Sequence, residues 1–148
     1  MKFKHGTRRR AAEYEKDWVQ RWKNDQTFEK SVTQRPANNS WVFYDGPPFL
    51  TGTPHHGHLL VSTVKDTMGR YHTMKGQRVE RRWGWDCHGL PAEVYVEKTL
   101  GISNKKEIGT KISVSDYVKE CRAAMVRTGT EWEDTIERIG RWVEFKGA

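Results

Sequence analysis

Three histidines, His55, His56 and His58, lie within four residues in the segment Thr53-Pro54-His55-His56-Gly57-His58. This segment stands between an aromatic run and a helical pattern, where the unpaired N–H groups of a helix N-terminus attract phosphate. Because His55 and His58 are three residues apart, they lie on one side of the first helical turn. Their ring N–H groups can donate to phosphate oxygens, more strongly when the rings are protonated. Gly57 leaves room for a flat ligand or a neighbouring backbone. We therefore predict a phosphate-binding turn.

A carboxylate, Asp86, follows a second strand-like run, in the segment Gly84-Trp85-Asp86-Cys87-His88-Gly89-Leu90-Pro91. If this strand is parallel to the first one, the carboxyl ends of both open on the same crevice. A carboxylate there would repel ATP phosphates, whereas it would attract the ammonium group of an amino acid; a cap of the next turn is the alternative. A nucleophilic pair of Cys87 and His88 is disfavoured, because neighbouring residues on a strand point to opposite faces.

Other phosphate and metal signatures are missing from the sequence. It contains neither G-x-x-x-x-G-K-[ST] nor G-x-G-x-x-G, which argues against a P-loop and against a dinucleotide-binding fingerprint. The residues that could form a zinc site are His55, His56, His58, Cys87 and His88. They lack C-x-x-C or H-x-x-x-H spacing, and we predict no protein-bound metal.

An α/β architecture would position these residues. Residues 41–44 and 78–85 have strand-like patterns, and the helical pattern at 56–75 between them is long enough for a parallel crossover. We predict the first half of a Rossmann-like nucleotide-binding fold, a parallel βαβ unit with flanking helices. We predict a single partial catalytic domain over residues 1–148. Its parts are an N-terminal helix at 9–32, the strand–turn–helix–strand unit at 41–91 and a helical connecting segment at 92–148. The connecting segment is predicted to contain helices at 92–99 and 115–142. An uncovered edge of the two-stranded sheet could support oligomerisation.

The composition bounds the class of protein. The 148 residues include 26 Lys and Arg against 19 Asp and Glu, and the net charge of +7 favours a polyanionic partner only weakly. No apolar run approaches the roughly 18 residues of a membrane-spanning helix, and the sequence after Met1 is not a secretory signal. Two cysteines exclude a disulfide scaffold and suit a reducing cytosol, so we predict a cytoplasmic protein.

The stretches Phe-Tyr-Asp-Gly-Pro-Pro at 43–48 and Gly-Thr-Pro-His-His-Gly-His at 52–58 resemble the HIGH signature region of class I aminoacyl-tRNA synthetases. Further matches follow in the order found in the isoleucyl-tRNA synthetase branch: Lys65-Asp66, Arg70-Tyr71, Met74-Lys75-Gly76 and the segment from Gly84 to Glu93. The HIGH tetrad alone is a weak signal, but its combination with G-W-D-C-H-G-L-P at this distance is specific. The resemblance is strong over 41–101 and weaker over 11–32 and 115–145.

The resemblance implies ATP-dependent activation of isoleucine to the adenylate, followed by transfer of the isoleucyl group to tRNA. The positions that match the family's functional residues are His55 and His58 for catalysis and the ATP phosphates, Gly57 for adenine, Gly46 and Pro47 for the amino acid, and Asp86 for its ammonium group. The expected substrates and partners are isoleucine, ATP with Mg²⁺, and tRNA, the last mainly through regions outside these residues.

The sequence departs from the family pattern in two ways. His56 stands where the signature name has Ile, at a position that points away from the nucleotide. The KMSKS loop, the second half of the nucleotide fold, the editing insertion and the anticodon-binding region have no counterpart here. We therefore expect the chain to carry only the HIGH half of the site.

Two alternatives remain open. Valyl- and leucyl-tRNA synthetases share the HIGH region, and the Cys87-His88 pair after Trp85-Asp86 favours the isoleucine branch. A non-catalytic basic module could instead bind RNA through Arg81, Arg82 and exposed tryptophans, with a steep salt dependence and no effect of ATP.

Overall fold

The computed structural model describes residues 6, 8–49 and 52–146, without the side chains of 125–128 and 130. The helices in these residues are α1 (Ala11–Asn24), α2 (Thr27–Thr33), α3 (His56–Met74), α4 (Leu90–Leu100) and α5 (Val114–Arg138), with short 3₁₀ helices at Ala37–Asn39 and Lys105–Glu107. None of the helices in the described ranges is long and apolar enough to cross a membrane.

The helix ends follow from local chemistry. The Ser113 hydroxyl caps α5 by accepting a hydrogen bond from the Asp116 N–H at 3.0 Å, as N-cap serines do. A proline in the first turn suits the start of α4, and the left-handed Gly101 (φ 65°) ends it. The predicted helices at 56–75, 92–99 and 115–142 correspond to α3, α4 and α5, although α5 ends at Arg138, before the predicted end. The helix predicted at 9–32 is two helices, because Gln26 adopts a left-handed conformation with φ 51°.

The prediction of a Rossmann-like parallel βαβ unit is wrong, since the described residues contain no strand. The segments 40–49 and 78–86 are joined by single parallel bridges near their ends, between Ser40 and Arg78 and between Phe49 and Asp86. Two adjacent prolines interrupt the first segment, and proline has no N–H to donate to a ladder. Val42 and Tyr44 are 70% and 92% exposed, so these two side chains do not pack the run against a neighbouring segment. The sheet edge on which oligomerisation was expected is therefore not found in the described part of the chain.

Helix α3 buries its small and polar side chains rather than its apolar ones. The apolar face predicted from the sequence periodicity is exposed in the described structure; its residues are Leu60, Val64, Met68 and Tyr71. The buried residues of the helix are Ser62, Gly69 and Thr73. Asp66, on the same helix, accepts a hydrogen bond from the Trp142 N–H at 3.1 Å, and Arg70 donates to the Gly140 carbonyl at 2.5 Å. Polar contacts thus fix the segment 140–142 along α3.

The hydrophobic core lies where α4 and α5 meet the segments 83–87 and 143–145. Its buried members are Trp83, Ala92, Val96, Ala124, Trp132, Ile136 and Val143. Trp132 and Ile136 are one turn apart on α5 and are among the largest fully buried side chains. These two side chains therefore hold α5 in the hydrophobic core.

Arg81 is a buried cation with few partners. It is 4% exposed, and its Nη2 donates to the Thr73 hydroxyl at 2.6 Å. Its Nε and Nη1 have no hydrogen-bond partner among the described residues. Burial lowers the pKa of Arg81 to about 10, and the nearby Asp66 offsets this only in part. A buried guanidinium with unpaired donors destabilises the folded state.

Replacing Arg81 with methionine should therefore stabilise the protein. Arg81→Met keeps an unbranched side chain and removes two unpaired buried donors, at the loss of one hydrogen bond to Thr73 and of the cation–π contacts with Phe28 and Trp142. We expect the free energy of unfolding to rise by about 1–2 kcal/mol, measured by urea denaturation followed by tryptophan fluorescence. Arg82→Met, at a side chain that is 82% exposed, is the matched control and should change it by less than about 0.5 kcal/mol. A loss of stability in Arg81→Met would contradict this assignment.

Candidate active site

The histidine turn, defined as residues 55–58, caps the N-terminus of α3. His55 is the N-cap residue, and its Nδ1 accepts a hydrogen bond from the Gly57 N–H at 3.1 Å. The Nδ1 of His58 accepts one from the His55 N–H at 3.2 Å. The two rings stack with their centroids 3.7 Å apart. These bonds satisfy two backbone N–H groups that a helix start otherwise leaves unpaired.

The two capping bonds determine which ring nitrogen carries the proton. A nitrogen that accepts a hydrogen bond cannot hold a hydrogen, so the neutral form of each ring is the Nε2–H tautomer. Burial lowers the pKa of His58, and the proximity of His55 lowers it further. At neutral pH, His58 is therefore more fully neutral than an ordinary histidine. The capping bonds leave Nε2–H as the donor of each ring, and for His58 the neutral donor replaces the protonated one considered from the sequence.

Gly57 has a structural reason for lacking a side chain. A Cβ atom at this position would lie 3.0 Å from Cε1 and 3.1 Å from Nδ1 of the His55 ring. Contacts this short are tighter than those that side chains normally make, so a larger residue would displace the capping ring. The glycine thus permits the arrangement of the two histidines.

An open cavity of about 280 Å³ lies beside the turn and includes His58 in its wall. The lining residues are Asp45, Gly46, Pro47, Pro48, Phe49, His58, Val61, Ser62, Lys65, Trp83, Gly84, Trp132 and Arg141. Apolar and aromatic groups cover most of the wall, and a few charged groups converge on one part of it. This composition is typical of small-molecule sites.

Asp45 anchors the charged part of the wall. Its carboxylate pairs with Lys65 of α3 through one oxygen and with Arg141 through the other. Lys65 also donates to the Gly46 carbonyl at 3.1 Å, and Arg141 donates to the Ser62 hydroxyl at 3.2 Å. The Arg141 side chain is 4% exposed. Asp45 therefore joins three parts of the chain around the cavity.

Asp86 is not among the residues that line this cavity. Its N–H donates to the Pro48 carbonyl at 2.9 Å, which places it next to the Pro47-Pro48 pair. Its carboxylate accepts a long hydrogen bond of 3.4 Å from the His88 N–H. This contact corresponds to the capping alternative, and it leaves the carboxylate with no close cation in the described structure.

The neighbouring cysteine is a poor nucleophile. Burial raises the pKa of the Cys87 thiol, and the negative charge of Asp86 raises it further. The thiolate, which is the reactive form, is therefore scarce at neutral pH.

No group of three or more metal-binding side chains occurs among the described residues.

The structure brings some of the predicted site residues together and not others. His58, Gly46 and Pro47 line one cavity, and His55 and Gly57 adjoin it through the histidine turn. Sequence reasoning assigned no role to Asp45, Lys65, Arg141 and Trp132, although Asp45 and Lys65 lie in segments that resemble the family. No local pattern reveals their contacts, because their partners lie 20 to 96 residues away along the chain.

The amino-acid sequence matches a family of known proteins. The sequence profile described as "tRNA synthetases class I (I, L, M and V)" matches residues 17–148. The chain therefore belongs to the class I aminoacyl-tRNA synthetase family.

Within this family, the chain is similar to isoleucine–tRNA ligases from distant organisms. It is 48% identical to isoleucine–tRNA ligase 2 of Pseudomonas fluorescens over 130 residues. This aligned region is 88% of this chain and 12% of that protein. It is 48% identical to the isoleucine–tRNA ligase of Treponema denticola over 91% of this chain and 12% of that protein. The cytoplasmic enzyme of Caenorhabditis elegans is 48% identical over 86% of this chain and 11% of its own length. The chain thus spans about an eighth of these relatives.

Breaking the Asp45 pairs should destabilise the protein strongly. Asp45→Asn keeps the shape but leaves the buried Arg141 without a counter-charge, which typically costs about 3–5 kcal/mol. The matched control is Glu137→Gln, whose pair with Lys23 has both side chains 48% exposed and should contribute less than about 1 kcal/mol. Urea denaturation of both variants measures the difference. Equal, small losses would show that Asp45 is not a structural anchor.

Proposed function

We propose that this chain is the phosphate-binding part of an isoleucine–tRNA ligase. The proposal is carried by the histidine turn, where backbone N–H groups donate to both Nδ1 atoms, which leaves Nε2–H as the donor of each ring, and where His58 lines a largely apolar cavity. The similarity to isoleucine–tRNA ligases over most of the chain supports the choice of reaction. The activity, substrates and partners belong to the longer enzyme of which this chain would be one part.

The proposed reaction joins isoleucine to AMP. A carboxylate oxygen of isoleucine attacks the α-phosphorus of ATP, the bond from that phosphorus to the bridging oxygen breaks, and pyrophosphate leaves. Negative charge builds on the leaving group, and His55 and His58 would stabilise it through their Nε2–H groups. Donors fixed before the reaction are effective because they need no rearrangement as the charge develops. The isoleucyl group would then pass to tRNA.

The remaining roles follow from the resemblance and from the cavity. Gly46 and Pro47 would contact isoleucine, since both line the cavity with His58, and Gly57 would lie under the adenine. Asp86 would bind the substrate ammonium after its carboxylate turns away from the His88 N–H. ATP would arrive with Mg²⁺ bound to its phosphates, and the enzyme would act in the cytoplasm.

The RNA-binding module is the weaker candidate. It relies on Arg81 and Arg82 as surface cations, but Arg81 is buried and only Arg82 is exposed. The histidine turn has no role in such a module, because a basic surface binds RNA without a built donor pair.

Pyrophosphate exchange with different amino acids tests the proposed reaction. The matched segment of the Pseudomonas fluorescens ligase would be replaced by the corresponding residues of this chain. We expect ATP–pyrophosphate exchange to depend on isoleucine, with valine and leucine far less effective. Exchange that prefers valine or leucine would assign the chain to a neighbouring branch. RNA binding by the 148-residue chain that is salt-sensitive and unaffected by ATP, in the absence of exchange, would support the module.

His58→Asn in the same hybrid enzyme tests the proposed donor. The asparagine Oδ1 replaces Nδ1 as the capping acceptor, whereas the Nε2–H is lost. We expect the exchange rate constant to fall by about 10²–10³ with little change in the KM for ATP. His56→Asn, at the exposed histidine between the two, is the control and should retain the rate within about twofold. An increased KM with an unchanged rate would make His58 a ground-state binder instead.

A further inference from the structure

Trp132 connects the hydrophobic core to the histidine turn. It lies on α5, is 2% exposed, and forms part of the cavity wall with His58. Its indole Nε1–H donates to the Gly52 carbonyl at 2.7 Å, and its ring centroid is 4.7 Å from that of His58. One side chain therefore contacts both the segment that leads into the turn and the imidazole of His58.

These two contacts restrain the turn from both ends. Gly52 precedes the N-cap residue His55 by three positions, so a fixed Gly52 carbonyl limits the path of the chain into α3. The ring contact limits the orientation of His58, which the capping bond to the His55 N–H fixes only at Nδ1. Trp132 itself is held by the core, where it also contacts the rings of Trp83 and Trp85. A rigid aromatic side chain in a packed core is well suited to this task.

We propose that Trp132 is a positioning residue for the histidine turn: its ring orients His58 and its N–H holds the Gly52 segment, so that the turn is preformed for a phosphate group. The phosphate part of this statement rests on the proposed function, whereas the restraint on His58 does not. Other groups near His58 are the stacked ring of His55 and the charged cavity residues Asp45, Lys65 and Arg141. None of these reaches the Gly52 carbonyl in the described structure.

Three variants of the 148-residue chain separate positioning from simple packing. Trp132→Leu removes both contacts, and Trp132→Phe keeps an aromatic ring but removes the N–H donor. Ile136→Val is the matched control, because Ile136 is fully buried one turn further along α5. For each variant, NMR measures the ring resonances and the pKa of His58. An NMR titration with MgATP gives its apparent Kd, and thermal denaturation gives the Tm.

A positioning role predicts a distinct pattern in these measurements. We expect Trp132→Leu to raise the pKa of His58 toward 6.5, because the ring loses its shield from water, and to weaken MgATP binding about tenfold. Trp132→Phe should shift the His58 ring resonances and weaken MgATP binding severalfold. Ile136→Val should lower the Tm and leave both His58 and MgATP binding unchanged.

A merely structural role would give a different pattern. If both Trp132 variants lower the Tm but leave the ring resonances and pKa of His58 as in Ile136→Val, the proposal is wrong. If Trp132→Leu does not fold, the comparison of Trp132→Phe with Ile136→Val decides through the same resonances. If the unaltered chain does not bind MgATP, only the proposed function is contradicted. The ring resonances and pKa of His58 would still decide the role of Trp132.

Discussion

The double ion pair of Asp45 is the interaction on which the arrangement of the site depends. Its carboxylate holds Lys65 of α3 and Arg141 of the segment after α5, and each cation carries a second bond, to Gly46 or to Ser62. Because Arg141 is almost fully buried, its charge is tolerated only while Asp45 is present. The same contact therefore fixes the position of α3, the path of the Gly46-Pro47 segment and one wall of the cavity. Because the histidine turn lies at the start of α3, the double ion pair also determines where the turn lies.

The turn illustrates how a local motif depends on distant residues for its properties. The capping bonds between His55, Gly57 and His58 are local, and they fix both rings as Nε2–H donors. The low pKa of His58 requires burial, to which Trp132 contributes from α5. In the proposed reaction this combination is useful, because donors already in place can stabilise charge that develops on the leaving pyrophosphate without first binding it too tightly.

The sequence predicted the local features well and the long-range ones poorly. Helical patterns located α3, α4 and α5 to within a few residues, and the spacing of His55 and His58 placed them on one side of a helix start. The predicted strands failed because Pro47-Pro48 cannot supply a ladder and because Val42 and Tyr44 remain exposed. The apolar face of α3 was also misjudged: the helix is held by polar bonds to residues 140–142, which no pattern within α3 reveals. The roles of Asp45 and Trp132 depend on partners far along the chain.

The protonation of the two imidazoles is the most direct test of the proposed site. In the 148-residue chain with nitrogen-15-labelled histidine, the NMR signals of the ring nitrogens show which nitrogen carries hydrogen. In their neutral forms, both His55 and His58 are predicted to be Nε2–H tautomers, and added MgATP is predicted to shift the Nε2 signals more than the Nδ1 signals. An Nδ1–H tautomer in either ring, or a response to MgATP confined to Nδ1, would contradict the capping geometry and the phosphate-binding role built on it.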